Sequence, residues 1–271
     1  VTVEINAKDV MALRNSTGLP MMDCKKALAE NNGDRSAAEE WLRKKLKGKM
    51  DTRTDRAAGE GRIVAVVKGD SAAIVELRAE TDFTARNENF LNAANQIANE
   101  ALSGKAGDLT VTDAATKAID NLRISTGENV SFARAHKLDA SGAKYGAYVH
   151  HDGKLGVLVQ GQGDVSEDLL KDIAMHIAAS PIKPEGVSAD EIPAAVVERE
   201  RRLALEQAIE SGKNKEIAEM MVEGKLRKYF EDVALIEQPF IKDPEKKIKD
   251  LVPKGGKILA FVRWRVGEQT A

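Results

Sequence analysis

A chain of 271 residues, 42% hydrophobic and 31% charged, has the make-up of a globular protein with two domains, or one core with appendages. Acids and bases nearly cancel, leaving a net charge of −2, which argues against a protein built mainly to coat nucleic acid. No apolar run approaches the ~20 residues of a membrane span or resembles a signal-peptide core, and the single cysteine, Cys24, excludes an internal disulfide and a multi-cysteine metal site. A reducing, cytosolic setting is expected.

The first stretch reads as a three-helix module, residues 1–46. Asn6 caps a helix with Val10 and Leu13 on one face, and Gly18 ends it. Pro20 suits the first position of a second helix, 21–30, with Ala27 and Leu28 inward. Met21 and Met22 lie ~100° apart on it, so one is expected in the core and one at the surface, or both serve as soft partner contacts. Asp34 opens a third helix holding Ala38, Trp41, Leu42 and Leu46. A basic linker without apolar periodicity follows, drawn at 47–61.

Two hairpin-then-helix units come next, predicting an α+β protein with two related core subdomains of antiparallel strands, 62–138 and 139–271. The first runs through strands at 62–67 and 73–77 to a helix at 90–102, then a helix at 112–122 and a strand at 130–136. The second has strands at 146–150 and 155–160 and a helix at 166–179. Past Pro181 and Pro184, two charged helices with thin apolar stripes predict an antiparallel coiled-coil arm at about 190–230. Val197, Leu205, Ala208 and Ile209 mark one stripe, and Ile217, Met220, Met221 and Leu226 the other. Strand-like runs at 234–241 and 257–266 can join the second sheet.

No catalytic constellation emerges. The chain has no phosphate loop and no His-Glu-x-x-His helix. Gly161-Gln162-Gly163 follows a strand, but Ser166 stands at the third glycine position of a dinucleotide turn and no parallel strand follows. His150 and His151 are consecutive, so on a strand they face opposite sides and hold no metal together. His176 reads as a satisfied helix-face histidine, and Cys24 needs a basic partner to act as a nucleophile. No catalytic residue, cofactor or metal is expected; a binding protein fits better than an enzyme. One loop stands out. Phe83 sits between Thr81-Asp82 and Thr84-Ala85-Arg86 at a strand-to-helix junction, either stapling the next helix to the core or presented for recognition.

In chain order, Leu13-Arg14, Thr17-Gly18, 21–28 (Met-Met-Asp-Cys-Lys-Lys-Ala-Leu), Asn32-Gly33-Asp34, Thr81-Asp82-Phe83, Gly127-Glu128-Asn129 and 156–159 (Gly-Val-Leu-Val) form a specific pattern. It continues through 173–180 (Ile-Ala-Met-His-Ile-Ala-Ala-Ser), 215–219, 221–224 and Gln238-Pro239-Phe240. Over nearly its whole length the chain resembles the elongation factor Ts family, guanine-nucleotide exchange factors of the translational GTPase elongation factor Tu. The resemblance implies a ubiquitin-associated-like amino-terminal module and a GDP-bound elongation factor Tu partner. It implies no direct nucleotide binding, no membrane and no specific nucleic acid. It also implies that Thr81, Asp82, Phe83 and Thr84 dislodge the magnesium ion of the GTPase, Phe83 as a wedge. Leu13, Arg14, Met21, Met22, Thr126, Gly127 and His150 match further partner contacts, with Thr126 replacing the usual aliphatic residue. No counterpart of the extra carboxy-terminal helical module of some members is expected after 265–268, and the implied setting is bacterial cytosol or an organelle matrix. An RNA-binding translation adaptor using 44–62 and 225–228, without exchange activity, is the alternative, and an enzyme built on Cys24 and a histidine a further one.

Overall fold

In the computed structural model, which describes residues 5–51, 54–212 and 214–268, three helices lead the chain: α1 (Ala7–Thr17), α2 (Met21–Glu30) and α3 (Arg35–Asp51). Asn6 caps α1 by accepting the Lys8 N–H at 2.9 Å, and Gly18 closes it at φ 69°, where a side chain would be strained. Pro20 stands at the N-cap of α2, one residue before its expected place. Val10, Leu13, Cys24, Ala27, Leu28, Ala38 and Leu42 make a small core, and Ile124 packs against it from the main body. Arg43 donates to Asn121 at 2.9 Å across the same junction. Docking therefore extends a core that is too small to be secure alone. α3 continues to Asp51, into the stretch expected to be linker.

The body is a stack of four layers. β1 (Glu60–Lys68), β2 (Ser71–Ala79), β3 (Gly107–Leu109) and β4 (Ser131–Asp139) form an antiparallel sheet in the order β1-β2-β4-β3. Alternation along β2 decides its two faces. Ala73, Val75 and Leu77 meet Phe90, Ala94 and Ile97 of α5 (Glu88–Ala101) and Ile119 and Leu122 of α6 (Asp113–Thr126). A five-residue helix, α4 (Asp82–Arg86), joins β2 to α5. Ala72 and Ile74 face the other way, towards a second sheet.

That sheet is β5 (Ala143–Val149), β6 (Leu155–Gln162) and a last strand at Lys257–Arg265, with β6 central. Val157 and Val159 of β6 pack on Leu170, Ile173 and Ile177 of α7 (Glu167–Ala179), while Leu158 enters the seam between sheets with Ile63, Ile74, Tyr145 and Trp264. Gly156 makes the approach possible, since a Cβ there would lie 2.4 Å from Ile63 Cγ2. The arm is α8 (Ala194–Glu210) against α9 (Lys215–Val233). Its seam is Ala204, Ala208 and Ala218, whose small side chains let the helices close, together with Val222 and Leu226. Leu205, Ile209, Ile217 and Met220, expected in that stripe, are exposed.

The run at 234–241 does not join the second sheet. Residues Leu235–Glu237 form a 3-10 turn, and β7 (Pro239–Phe240) pairs only with β8 (Asp243–Lys247), ahead of α10 (Ile248–Leu251) and β9 (Lys257–Arg265). Pro239 lacks the N–H a central strand needs, and the buried Gln238 amide donates to Ile182 O and Asp232 O at 3.0 and 2.6 Å, holding the segment against α9 and the loop after α7.

One charge sits in the inter-sheet seam. Glu76, on the seam face of β2, is fully buried. Its carboxylate accepts Arg134 Nε at 2.7 Å, Arg78 Nε at 2.9 Å and the Gly267 N–H at 3.0 Å. Arg134 in turn lies over the Trp264 ring at 4.5 Å and donates to Arg265 O at 3.2 Å. Both sheets therefore close on one carboxylate. Glu76→Ala leaves two partly buried guanidiniums without their anion, and it is expected to cost ~3–5 kcal/mol. A urea titration checks this by a lowered midpoint at unchanged slope.

Candidate functional site

Thr81 leaves β2 in an extended conformation and caps α4, its hydroxyl accepting the Thr84 N–H at 3.3 Å. Thr81 is the N-cap of α4, and Asp82 is its first residue. Thr84 and Ala85 turn into the core, while Phe83 is turned out, 85% exposed. It staples nothing. An exposed ring on a helix this short needs other anchors, and they come from the Gly127-Glu128-Asn129 turn. Glu128 accepts the Thr81 N–H at 3.0 Å and the Thr81 hydroxyl at 2.7 Å. Reciprocally, Glu80 accepts the Asn129 N–H at 2.7 Å. Two carboxylates thus lock two neighbouring turns together by charge-assisted bonds.

The turn itself is set by the end of α6. Gly127 takes φ 72° and donates its N–H to Arg123 O at 2.9 Å. Thr126 donates its hydroxyl to Leu122 O at 2.7 Å and accepts the Glu128 N–H at 3.3 Å. Thr126 and Gly127, named from sequence as contacts, therefore shape the turn that presents Glu128. Glu128 itself carried no role in the sequence reading, although its motif was recognised. Asp82 is paired with Arg86 at 3.3 Å across one turn of α4, and both side chains are largely open to solvent.

A second feature lies at the β5–β6 turn. His150 donates its N–H to Leu155 O at 2.8 Å, and its Nδ1 lies 3.0 Å from the Tyr148 hydroxyl. The His150 and His151 rings are 4.2 Å apart, centroid to centroid, so they share a side instead of splitting as strand neighbours do. The chain has already left β5 at Val149, which removes the strand alternation. Asp152 accepts the Lys154 N–H at 2.8 Å. Burial by itself would raise its carboxyl, but that bond and the charges of His150, His151 and Lys154 hold it below its ordinary value.

On the three-helix module, Arg14 is exposed, and both methionines are too, Met21 at 45% and Met22 at 73%. Leu13 is different. It is fully buried among the three helices, where it supports Arg14 but offers no surface. Cys24 is buried in the same core, 3.7 Å from Thr17 Oγ1 and 3.8 Å from Leu19 O, with no histidine in that cluster.

His176 is also structural. The Ile241 N–H donates to its Nδ1 at 3.2 Å, so Nε2 carries the proton and donates to Gln238 Oε1 at 2.9 Å. Burial pulls its pKa below the usual value, and the Gln238 bond offsets part of that. No group of three or more metal-ligating side chains that could hold an ion occurs among the described residues, and none of their helices is long and apolar enough to cross a membrane.

Two outcomes follow from these bonds. Glu128→Ala removes both acceptors from Thr81 and, at ~0.5–2 kcal/mol for a lost cap-like bond, is expected to speed amide exchange in α4 while the global midpoint moves little. For His176, the unfolded chain gains a proton below about pH 6.5 that the folded chain refuses. Stability is thus complete above that pH and falls below it. His176→Gln is expected to flatten the difference in denaturation midpoint between about pH 7.5 and 5.5.

A sequence model of the family described as elongation factor TS matches residues 80–268. That span opens on the Glu80–Asn129 bond and takes in α4, the His150 turn and the arm.

Proposed function

The chain belongs to the elongation factor Ts family, translation elongation factors that exchange nucleotide on elongation factor Tu, and from that we propose how it acts. It binds the GDP-bound GTPase, presses α4 towards the magnesium site and promotes GDP release so that GTP can enter. The observation that carries this reading is Phe83, a large apolar ring held out in solvent on a helix that its own burial does not fix.

The chemistry is electrostatic on the partner's side. Mg²⁺ bridging phosphate oxygens is a large local charge, so a small displacement of its ligands weakens nucleotide binding. The exchange factor needs only differential affinity: it binds the nucleotide-free GTPase more tightly than the loaded one, and nucleotide must weaken it reciprocally. Phe83 supplies anchoring by leaving water. Thr81 and Thr84 keep the ring's helix in shape, and Asp82 brings a carboxylate whose present partner, Arg86, is solvent-exposed and replaceable. His150 adds a second contact from the β5–β6 turn, with Arg14, Met21 and Met22 extending the surface onto the three-helix module. No step of this requires a covalent reaction by the chain.

The RNA-adaptor alternative draws less support. Part of its basic stretch lies in α3, and Lys225 of the other cluster donates to Gln207 on the neighbouring helix of the arm. Salt-sensitive RNA binding at physiological ionic strength would revive it.

Phe83→Ala is the direct test. Being exposed, the residue is expected to shift stability by ~0.5 kcal/mol or less. A fully buried Phe contributes ~1.5–3 kcal/mol, so stimulated release of a fluorescent GDP from elongation factor Tu should fall about 10- to 150-fold at limiting factor. Unchanged stimulation by the variant would remove Phe83 from the mechanism.

A further inference from the structure

β1 is the edge strand of its sheet, and two adjacent residues at its start reach both candidate contact features. The Ile63 N–H donates to Gly153 O at 2.8 Å, so the His150 turn covers the open edge of the strand. The Arg62 Nε donates to Ala85 O at 3.1 Å, holding α4 by its backbone two residues from Phe83. The Arg62 side chain also lies directly across Gly153. A Cβ at that glycine would stand 2.3 Å from Arg62 Cδ and 2.3 Å from its Nη1, and the glycine takes φ 69°. Position 153 is therefore doubly suited to glycine: the backbone turns left-handed, and the space a side chain would fill belongs to the guanidinium. A second tie runs parallel, since Lys154 Nζ meets Glu60 Oε2 of β1 at 2.6 Å.

We propose that Arg62 is a positioning residue that joins α4 to the 150–153 turn, so that Phe83 and His150 meet the GTPase as one preorganised unit. This rests on the exchange-factor reading for its functional consequence, but not for the linkage itself. Arginine suits the position because its guanidinium carries a donor near the stem, at Nε, while the rest of the plane lies against the glycine. Of the two tethers on α4, the Glu128 pair fixes its start and Arg62 its end. Only Arg62 also touches the other feature. Two contacts held rigidly together bind better than the same two loosely connected, because the second association is intramolecular.

The test uses Arg62→Leu, which keeps an apolar stem and removes every donor, with Arg62→Lys as the conservative partner. In the free chain, hydrogen exchange of segments 82–87 and 150–155 is expected to quicken together, by about tenfold, in Arg62→Leu, and Arg62→Lys to recover part of it. Gly153→Ala strains its own turn at φ 69° and displaces the guanidinium, so the linkage predicts that it quickens exchange in the distant segment 82–87 as well. With elongation factor Tu, Arg62→Leu is expected to lower GDP-release efficiency about tenfold. In that background the effects of Phe83→Ala and His150→Ala become additive, having been non-additive in the parent chain. Quickening in α4 alone, or in neither segment, overturns the linkage. Loosening of both segments with full stimulation, or with the Phe83–His150 coupling intact, overturns its role in exchange. Absence of stimulation by the parent chain is a separate result, and it strikes the exchange-factor reading while the free-chain readout still decides the linkage.

Discussion

An aromatic ring that stays in water contributes almost nothing to folding, so the helix that bears Phe83 has to be held by everything except Phe83. Five residues are far too few to make a stable helix alone. The Glu128 carboxylate on Thr81, the answering Glu80 carboxylate on Asn129, the buried Ala85 and the Arg62 bond to its carbonyl together supply what the sequence of α4 lacks. The site is thus a polar lock around a small apolar foot. On the proposed function, this arrangement leaves the ring's burial to be made with the partner.

The lock works because its parts stand on a rigid body. β2 carries Thr81 from its end and passes through both layers of core, apolar towards α5 and apolar towards the second sheet. Glu76 interrupts that second face, and its worth is better judged by what its removal strands than by the pair itself. Buried ion pairs often do no better than apolar residues of the same size, yet half of one is costly. With Arg134 reaching both Trp264 and Arg265, the network ties the first sheet to the last strand of the chain, 191 positions from Glu76 to Gly267. Gly156 and Gly146 admit the neighbours that make this closeness possible: Ile63 in the seam and the α7 backbone on the opposite face.

Much of this was legible in the residues. The apolar runs at 73–77 and 155–160 mark the two hairpins, and the stops at Gly18 and Pro181 fall where helices end, whereas α6 runs on past the expected 122 to Thr126. The misreadings share a cause: they turn on tertiary partners that periodicity does not see. The arm's stripe was right at Ala208 and Leu226, but close helix packing also selects Ala204, Ala218 and Val222 and leaves Leu205, Ile209, Ile217 and Met220 outside. Residues 234–241 read as a strand, but Gln238 is drawn to His176 and Pro239 breaks the ladder. For Met21 and Met22 the alternative of one in the core fails and both face solvent, because Cys24, Ala27 and Leu28 already fill the inner side of α2. Phe83 could be singled out from its polar setting, yet whether it pointed in or out could not be read from its neighbours. Arg62 and Glu128 were invisible as supports, since one acts across 23 residues and the other across 47.

The proposed function makes α4 and the His150 turn the surfaces that meet the GTPase. Hydrogen-exchange footprinting of this chain with nucleotide-free elongation factor Tu tests that most directly. Protection is predicted at residues 81–86 and 150–153 together, and it should disappear when GDP and Mg²⁺ are added in excess. Protection confined to the arm or to the three-helix module, with α4 exchanging as in the free chain, would contradict it.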